Sequence, residues 1–353
     1  MQDTNSKQAI LDFYTYPSVG GDDWRYVYET AQVRAMQIQM LTKAVLLDMA
    51  NASSFESAAD LLSSTDYSLP RRGGNFTEVE DTLLQLRSAV QQLFADLMID
   101  ESIVELFRTR FDFANLRLAM RRTLTGKPLG AAAAGGESAD YSTDGNFPPE
   151  LFEQVFEQEN YNLFPDYMAE AAEQTVLAYY KDKDIRRIDY AIDRVQAKYN
   201  LKRARQLNSI FLSGLFRIQI DLTNIRTLLR LKFTESEQRN VFIDGGFIEL
   251  ERFEHGLDLG LEGLGQLFFV TPYYRIVDAG AGYLASNKSF LRAEQQCEEH
   301  LMGFLRSTIQ ITAGPQPIIA YLLMKENEIR TVRLILTAKK NFLDAQLILD
   351  RIS

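Results

Sequence analysis

Histidine, cysteine and carboxylate side chains are the groups whose spacing would indicate catalysis or metal binding in this chain. Only two histidines occur, His255 and His300, and neither has a second histidine or a cysteine at the spacing of a zinc site. The single cysteine, Cys297, is followed by Glu298 and Glu299, whose negative charges disfavour a reactive thiolate. These residues predict no catalytic centre, no metal ligand and no cofactor.

Two further patterns could carry chemistry, and each has a simpler explanation. Gly126-Lys127 lacks the preceding glycine of a phosphate-binding loop, because Arg121 occupies that position. Asp189 and Asp193 are four residues apart and could share one face of a helix as an acid–base pair. Lysines and arginines are interspersed among these acids, so a solvated charged face is the favoured interpretation.

The elements that would position a site are predicted to be helices. Leu, Ala, Gln, Glu and Arg are abundant and only 9 prolines occur in 353 residues, which favours helix. Apolar residues recur at steps of three and four over 22–50 and 149–233. A short helix is expected after Ser54, which has the side chain of an N-cap, and Pro272 and Pro315 are expected to precede or begin later helices. No hairpin dipeptide separates alternating runs, so little sheet is expected.

Composition and charge restrict the class of protein. With 46% hydrophobic and 24% charged residues, the chain has the apolar content of a globular protein and is long enough for two or three domains. The formal net charge of −10 argues against nucleic acid and against direct docking on anionic lipid, because both favour clustered Lys and Arg. No apolar run approaches the ~18 residues that a membrane-spanning helix requires.

The N-terminal residues and the cysteine content predict the compartment. Met1 to Lys7 are polar with no apolar stretch behind them, so no secretory signal is expected. A single cysteine suits a reducing compartment. We therefore expect a cytoplasmic chain, peripheral to any membrane that it reaches through a protein partner.

The most informative pattern is an internal repeat. The motif Asp-x-x-Asn-[Leu/Ile]-Arg occurs at 112–117 and at 221–226, with a second arginine four residues later in each copy. A weaker third copy occupies 325–330, and there the second arginine follows after three residues. The first arginines of the copies are 109 and 104 residues apart (226 − 117 and 330 − 226). A near-constant period inside long apolar segments predicts a duplicated helical unit.

Duplication at this period predicts an all-α fold of three similar helical units with approximate pseudo-threefold symmetry around a central cavity. A linear arrangement of the three units is the alternative. The units are expected at 1–125, at 149–235, which could share one or two helices, and at 236–353. Residues 126–148 are rich in Gly, Ala and Ser without apolar periodicity, so they are expected to be an exposed insertion or linker.

At the third copy the sequence resembles a known family. Residues 321–339, Tyr-Leu-Leu-Met-Lys-Glu-Asn-Glu-Ile-Arg-Thr-Val-Arg-Leu-Ile-Leu-Thr-Ala-Lys, are similar to the C-terminal signature of the C subunit of V-type and archaeal-type (A-type) ATPases. The same family includes the d subunit of the eukaryotic V-type ATPase. Residues 28–35, 55–67 and 221–230 are similar too, so the resemblance covers most of the chain, with 126–148 as the main departure.

The resemblance implies a funnel-shaped, all-helical protein on the cytoplasmic face of a membrane. It would join the rotor shaft, formed by the D and F subunits, to the rotating ring of c-type (proteolipid) subunits. It would transmit torque between ATP hydrolysis or synthesis and the transport of protons or sodium ions, and would perform no chemistry itself. A helical adaptor or scaffold unrelated to rotary ATPases is the alternative, since it would share the architecture without the signature at 321–339.

The candidate partner-binding residues belong to the repeated motif, and two interpretations apply to them. In the favoured one, each arginine pairs within its own unit, because duplicated residues more readily report a duplicated fold than a site. In the other, the arginines line the central opening and bind acidic or carbonyl groups at the end of the shaft. The candidates are Arg117, Arg121, Arg226, Arg230, Glu328, Arg330 and Arg333.

Overall fold

The computed structural model describes residues 16–63, 65–67, 76–126, 141–236 and 238–352, and within these ranges it contains helices and no strand. The all-α fold class is therefore confirmed, while the pseudo-threefold arrangement stays a prediction. The α-helices are α1 Val27–Gln37, α2 Lys43–Asn51, α3 Phe55–Asp60, α4 Phe76–Leu97, α5 Glu101–Thr125, α6 Pro149–Glu157, α7 Asp166–Asp182, α8 Arg186–Gln206, α9 Ile210–Phe233, α10 Leu250–Asp258, α11 Leu261–Leu267, α12 Tyr274–Asn287, α13 Leu291–Arg306, α14 Pro315–Lys340 and α15 Ala345–Ile352.

Local sequence signals set several helix ends. Ser54 caps α3, because its hydroxyl accepts a hydrogen bond from the backbone N–H of Ser57 at 3.2 Å and the Ser57 hydroxyl accepts one from Ser54 N–H at 2.9 Å. Pro315 is the first residue of α14, where its missing N–H leaves no hydrogen bond unmade. Helix α12 begins two residues after Pro272. These three predicted starts are confirmed.

The chain divides into two compact units, which are described separately. The first unit contains the described parts of Met1–Ile99, Leu228–Glu237 and Glu254–Ser353, and the second contains those of Asp100–Thr227 and Gln238–Phe253. The boundaries of the three units predicted from the repeat stay a prediction.

The second unit is built on α5. Helices α6, α7 and α8 pack against α5, and α7 packs against α8. Their contact is a cluster of apolar side chains, in which burial of each large side chain contributes about 1.5–3 kcal/mol. The fully buried members include Phe113, Leu116, Met120, Phe152, Val155, Met168 and Ile192.

The first unit is built on α14, which packs against α1, α2, α3, α4, α13 and α15. Because neighbours surround it, α14 carries apolar residues on several faces rather than in one stripe. Its fully or almost fully buried side chains include Ile318, Ile319, Leu322, Val332, Ile335 and Leu336.

Residues near the start of the described chain fix the beginning of α14. The carboxylate of Asp22 accepts hydrogen bonds from the backbone N–H groups of Thr312 at 2.7 Å and Ala313 at 3.3 Å. The hydroxyl of Thr30 accepts from Gly314 N–H at 3.1 Å. The first unit therefore combines segments from both ends of the described chain. Among the described residues, no helix combines the length and the apolar character needed to cross a membrane.

Candidate functional site

The Asp-x-x-Asn part of the first motif copy holds a loop against α5. Asp112 is fully buried, and its Oδ1 accepts hydrogen bonds from the backbone N–H groups of Asn146 at 2.9 Å and Phe147 at 3.2 Å. The Asn115 side-chain amide donates to Ser142 O at 2.9 Å and accepts from Ser142 N–H at 2.8 Å. Burial raises the pKa of Asp112, and the hydrogen bonds from Asn146 and Phe147 oppose that shift.

The second copy makes the same bonds. The buried carboxylate of Asp221 accepts from the backbone N–H groups of Phe247 at 2.9 Å and Ile248 at 3.1 Å. The side-chain amide of Asn224 donates to Ile243 O and accepts from Ile243 N–H, both at 2.8 Å. The two loops therefore have the same register relative to their motifs. We call them clamped loops, residues 142–147 and 243–248.

Each clamped loop requires a glycine at the same position. A Cβ at Gly145 would overlap Oδ1 of Asp112, and a Cβ at Gly246 would overlap Oδ1 of Asp221. Glycine is therefore needed for the close approach of the backbone to the carboxylate. An aromatic pair also recurs beside each loop, with ring centroids 5.7 Å apart in the first and 5.4 Å in the second. The pairs are Tyr141 with Phe152 and Phe242 with Phe253.

The first clamped loop corrects part of the expectation for 126–148. Residues 127–140 lie outside the described residues, but 141–148 are bonded to α5 as described above. The absence of apolar periodicity at 141–148 reflects a loop held by side-chain hydrogen bonds, not an exposed linker.

The third copy replaces the Asp–Asn pair with a buried ion pair. Glu328 stands two residues before Arg330, and its carboxylate lies 2.7 Å from Nζ of Lys325, with both side chains 4% exposed. Glu328 also accepts hydrogen bonds from Leu41 N–H at 2.6 Å and from the Tyr67 hydroxyl at 2.8 Å. Burial and the Glu328 charge raise the pKa of Tyr67. The backbone N–H that donates to the side chain at this motif position belongs to Leu41 in the third copy. In the other two copies it belongs to Ser142 and Ile243, so the three donors are 101 residues apart (142 − 41 and 243 − 142).

The second arginine of every copy makes the same kind of ion pair. In each copy the arginine bonds a carboxylate that lies three or four residues after the first residue of another helix. That helix is α8 for the first copy, α13 for the second and α4 for the third. All three arginine side chains are at least one-third exposed, so each pair contributes at most about 1 kcal/mol. The pairs are Arg121 with Asp189 at 2.5 Å, Arg230 with Glu294 at 3.1 Å and Arg333 with Glu80 at 2.7 Å.

The first arginines differ in their surroundings. Arg117 is 30% exposed and bonds Asp193, with its Nε 3.4 Å from Asp189. Burial raises the pKa of Asp193, which Arg117 opposes. Arg330 is 63% exposed and lies 3.7 Å from Glu298. Arg226 is half-buried.

The second arginines of the motif thus form ion pairs inside the two compact units, although each partner lies outside the bounds predicted for the unit of that copy. The role of the motif residues as partner contacts stays a prediction. Across the described ranges, no group of three His, Cys, Asp or Glu side chains could hold a metal ion. The motif is visible in the sequence, but the loops that it holds were not predicted from it. The spacing of Gly145 and Gly246 after Ser142 and Ile243 was the available signal.

Comparison with known proteins shows the family of this chain. The family model described as ATP synthase (C/AC39) subunit matches residues 30–351. The chain belongs to this family.

Three relatives match across nearly their whole length. The C subunit of the V-type sodium ATPase of Enterococcus hirae is 23% identical over 323 residues, covering 90% of this chain and 95% of the relative. The C subunit of the A-type ATP synthase of Methanococcoides burtonii is 23% identical over 348 residues, covering 94% and 95%. The C subunit of the V-type ATP synthase of Thermus thermophilus is 23% identical over 334 residues, covering 91% and 95%.

Proposed function

We propose that this chain is the non-catalytic coupling component of the central stalk in a V/A-type rotary ATPase. It joins the rotor shaft, formed by the D and F subunits, to the c-type (proteolipid) ring on the cytoplasmic face of the membrane. It transmits torque between ATP turnover and the transport of protons or sodium ions.

The observation that carries this proposal is the extent of the family match. The match runs over 30–351, and the relatives named as C subunits are covered over 95% of their length. A shared function is supported better by such coverage than by a match to one segment, because the whole architecture is then common to the proteins. The relatives include both a sodium ATPase and ATP synthases, so both directions of coupling remain within the proposal.

The repeated contacts support the proposed three-unit organisation. Each motif copy places a polar side chain of a long helix against the backbone amide of a loop, at 2.8 Å, 2.8 Å and 2.6 Å. In the third copy the long helix is α14, while the loop residue is Leu41. We propose that the third unit is formed by α14 together with the N-terminal helices, and that the three units surround a central cavity that receives the shaft.

Exposure ranks the candidate contact residues for the shaft and the ring. Arg230 and Arg330 are 60% and 63% exposed and are held by single carboxylate contacts of 3.1 Å and 3.7 Å. Arg117 and Glu328 are more buried and bonded to several groups, so they support the fold. We therefore propose Arg230 and Arg330 as the first of the candidates to test.

Reconstitution tests the proposal. The purified chain is mixed separately with the D–F shaft complex and with the isolated ring in detergent, and complex formation is measured by size-exclusion chromatography. Binding to both is expected. Failure of the folded chain to bind either one would refute the proposed function.

A matched pair of variants separates partner contact from folding. Arg330→Gln and Lys198→Gln both remove an exposed cation with a nearby carboxylate. Arg330→Gln is expected to weaken one of the two complexes while Lys198→Gln leaves both unchanged. Equal binding by both variants would remove Arg330 from the proposed interface.

A further inference from the structure

A cavity of about 350 Å³ lies inside the first unit, between α1, α2, α13, α14 and α15. Three methionines contribute to its wall, Met40, Met302 and Met324. Methionine side chains are flexible and polarisable, so they adapt to apolar groups of different shape. The cavity can therefore receive one or a few apolar side chains.

Positive side chains slightly outnumber negative ones around the cavity, although the net charge of the whole chain is −10. Four cationic side chains and three carboxylates line it. Each carboxylate has a cationic partner, and two of the four lining cations, Arg306 and Arg351, are among those partners. The pairs are Glu298 with Arg351 at 2.5 Å, Glu299 with Arg306 at 2.8 Å and Glu328 with Lys325 at 2.7 Å.

Arg34 is a half-buried cation in the cavity wall, as is Arg351, which pairs with Glu298. The guanidinium of Arg34 donates to Gln37 Oε1 at 2.8 Å, to Thr308 O at 2.7 Å and to Ile311 O at 3.2 Å, all of them neutral acceptors. Burial lowers the pKa of Arg34, which means that the surroundings disfavour its positive charge. A carboxylate entering the cavity would offset that cost, because a partly buried charge is stabilised by an opposite charge.

We propose that this cavity docks an acidic segment of a partner protein. An apolar side chain of the segment packs on the methionines, and a neighbouring carboxylate faces Arg34. Charge complementarity favours this occupant over a basic segment, and the apolar wall favours it over a free inorganic anion. The proposal goes beyond the coupling function, because it does not require the shaft or the ring to be the partner.

Peptide binding to the full chain tests the proposal. The probe is a fluorescein-labelled synthetic peptide in which glutamates flank a central leucine and phenylalanine, and its counterpart has lysine in place of every glutamate. Fluorescence anisotropy is expected to show saturable binding of the acidic peptide and roughly tenfold or weaker binding of the basic one. Binding should weaken as salt is raised, since screening reduces the charge contribution. No binding of the acidic peptide, or equal binding of both, would overturn the proposal.

Two variants test the cavity itself. Arg34→Gln removes the charge, and Met324→Trp fills the space without changing any charge. Each is expected to weaken acidic-peptide binding by roughly tenfold. The matched controls lie in the second unit: Arg186→Gln removes an exposed cation and Leu177→Trp enlarges an exposed apolar side chain. Both controls should bind like the unaltered chain, and melting followed by circular dichroism confirms folding.

Arg34 also bonds two backbone carbonyls, so Arg34→Gln could unfold the protein. In that case Met324→Trp still decides the test. Unchanged binding by Met324→Trp would show that the peptide docks elsewhere. Competition by N-acetylglutamate as strong as that of the peptide would identify a small-anion site instead, and would also overturn the proposal. Shaft and ring binding in the reconstitution remains a separate readout, so the two proposals can fail independently.

Discussion

Glu328 and Leu41 are 287 positions apart in the chain, yet the Glu328 carboxylate accepts a hydrogen bond from Leu41 N–H at 2.6 Å. This bond occupies the place that Asn115 and Asn224 fill in the other motif copies, with Ser142 N–H and Ile243 N–H as donors. The same contact is made within a nearby stretch of chain in two copies and between distant segments in the third. The motif therefore has a structural role in all three copies.

Glu328→Gln should destabilise the protein by roughly 3–5 kcal/mol, because it leaves the buried Lys325 cation without its counter-charge. The free energy of unfolding is measured by urea denaturation. The control is Glu170→Gln, which breaks the exposed pair with Lys198 and should cost less than about 1 kcal/mol. Replacing Lys325 by Met in addition should recover part of the loss. Equal costs for Glu328→Gln and Glu170→Gln would contradict the prediction.

Gly246→Ala should destabilise the protein by about 1–3 kcal/mol, because the new Cβ would overlap the buried Asp221 carboxylate and push the clamped loop away. The melting temperature is the measurement. Gly282→Ala is the control, since a Cβ there meets nothing within 4 Å and Ala is the better helix former inside α12. A Gly246→Ala protein as stable as Gly282→Ala would show that the loop is not held as described.

Arg230→Gln should change the free energy of unfolding by less than about 1 kcal/mol, because its pair with Glu294 is largely exposed to solvent. Arg117→Gln should cost more, since Arg117 is less exposed and faces both Asp189 and Asp193, which would then repel each other. Chemical denaturation of both variants under one buffer condition compares them. The reverse order of costs would be inconsistent with the two environments.

Acid should destabilise the protein through His300, which lies with its ring centroid 5.1 Å from Tyr16 and 5.0 Å from Tyr273. Burial lowers the pKa of His300 to about 4, from an ordinary value of 6.5. Between these values the unfolded chain binds a proton that the folded chain does not, so stability falls as pH decreases from about 6.5 to 4. The loss amounts to at most about 3 kcal/mol.

His300→Phe keeps an aromatic ring at this position and should remove that part of the pH dependence. Unfolding is followed at pH 7 and at pH 4.5 for the unaltered chain, for His300→Phe and for His255→Gln, in which the substituted side chain is exposed. The His255→Gln protein should lose as much stability as the unaltered chain. A pH dependence of His300→Phe as steep as that of the unaltered chain would contradict the assignment to His300.

Local features of the sequence were sufficient to predict the helices and to detect the repeated motif. The cap at Ser54 depends on bonds to Ser57, one turn away, and Pro315 is suited to the first turn of a helix by its own ring, so both leave a readable pattern. The favoured interpretation was that the motif arginines pair within their own units. With the predicted bounds 1–125, 149–235 and 236–353, the ion pairs of Arg121, Arg230 and Arg333 instead join residues of different predicted units.

The clamped loops were not predictable in the same way. The groups that Asp112 and Asn115 bond are backbone amides and a carbonyl, and every residue except proline carries both. Residues 141–148 therefore gave no signal apart from the glycine at 145, and their lack of apolar periodicity suggested a linker. The buried Lys325–Glu328 pair was missed because its spacing is also common on solvated helix faces.

By itself, the sequence determined that the chain is helical, that its motif is duplicated and that it resembles the C subunits of rotary ATPases. The first two properties follow from periodicity, capping and spacing along the chain, whereas the third rests on the similarity of residues 321–339 and related segments to that family. Only the tertiary structure decided which loops the motif residues hold, that Glu328 is buried with Lys325, and that α14 packs with the N-terminal helices. The reason is that hydrogen bonds to backbone groups and contacts across some 260–290 residues depend on chain topology, which local side-chain patterns do not encode.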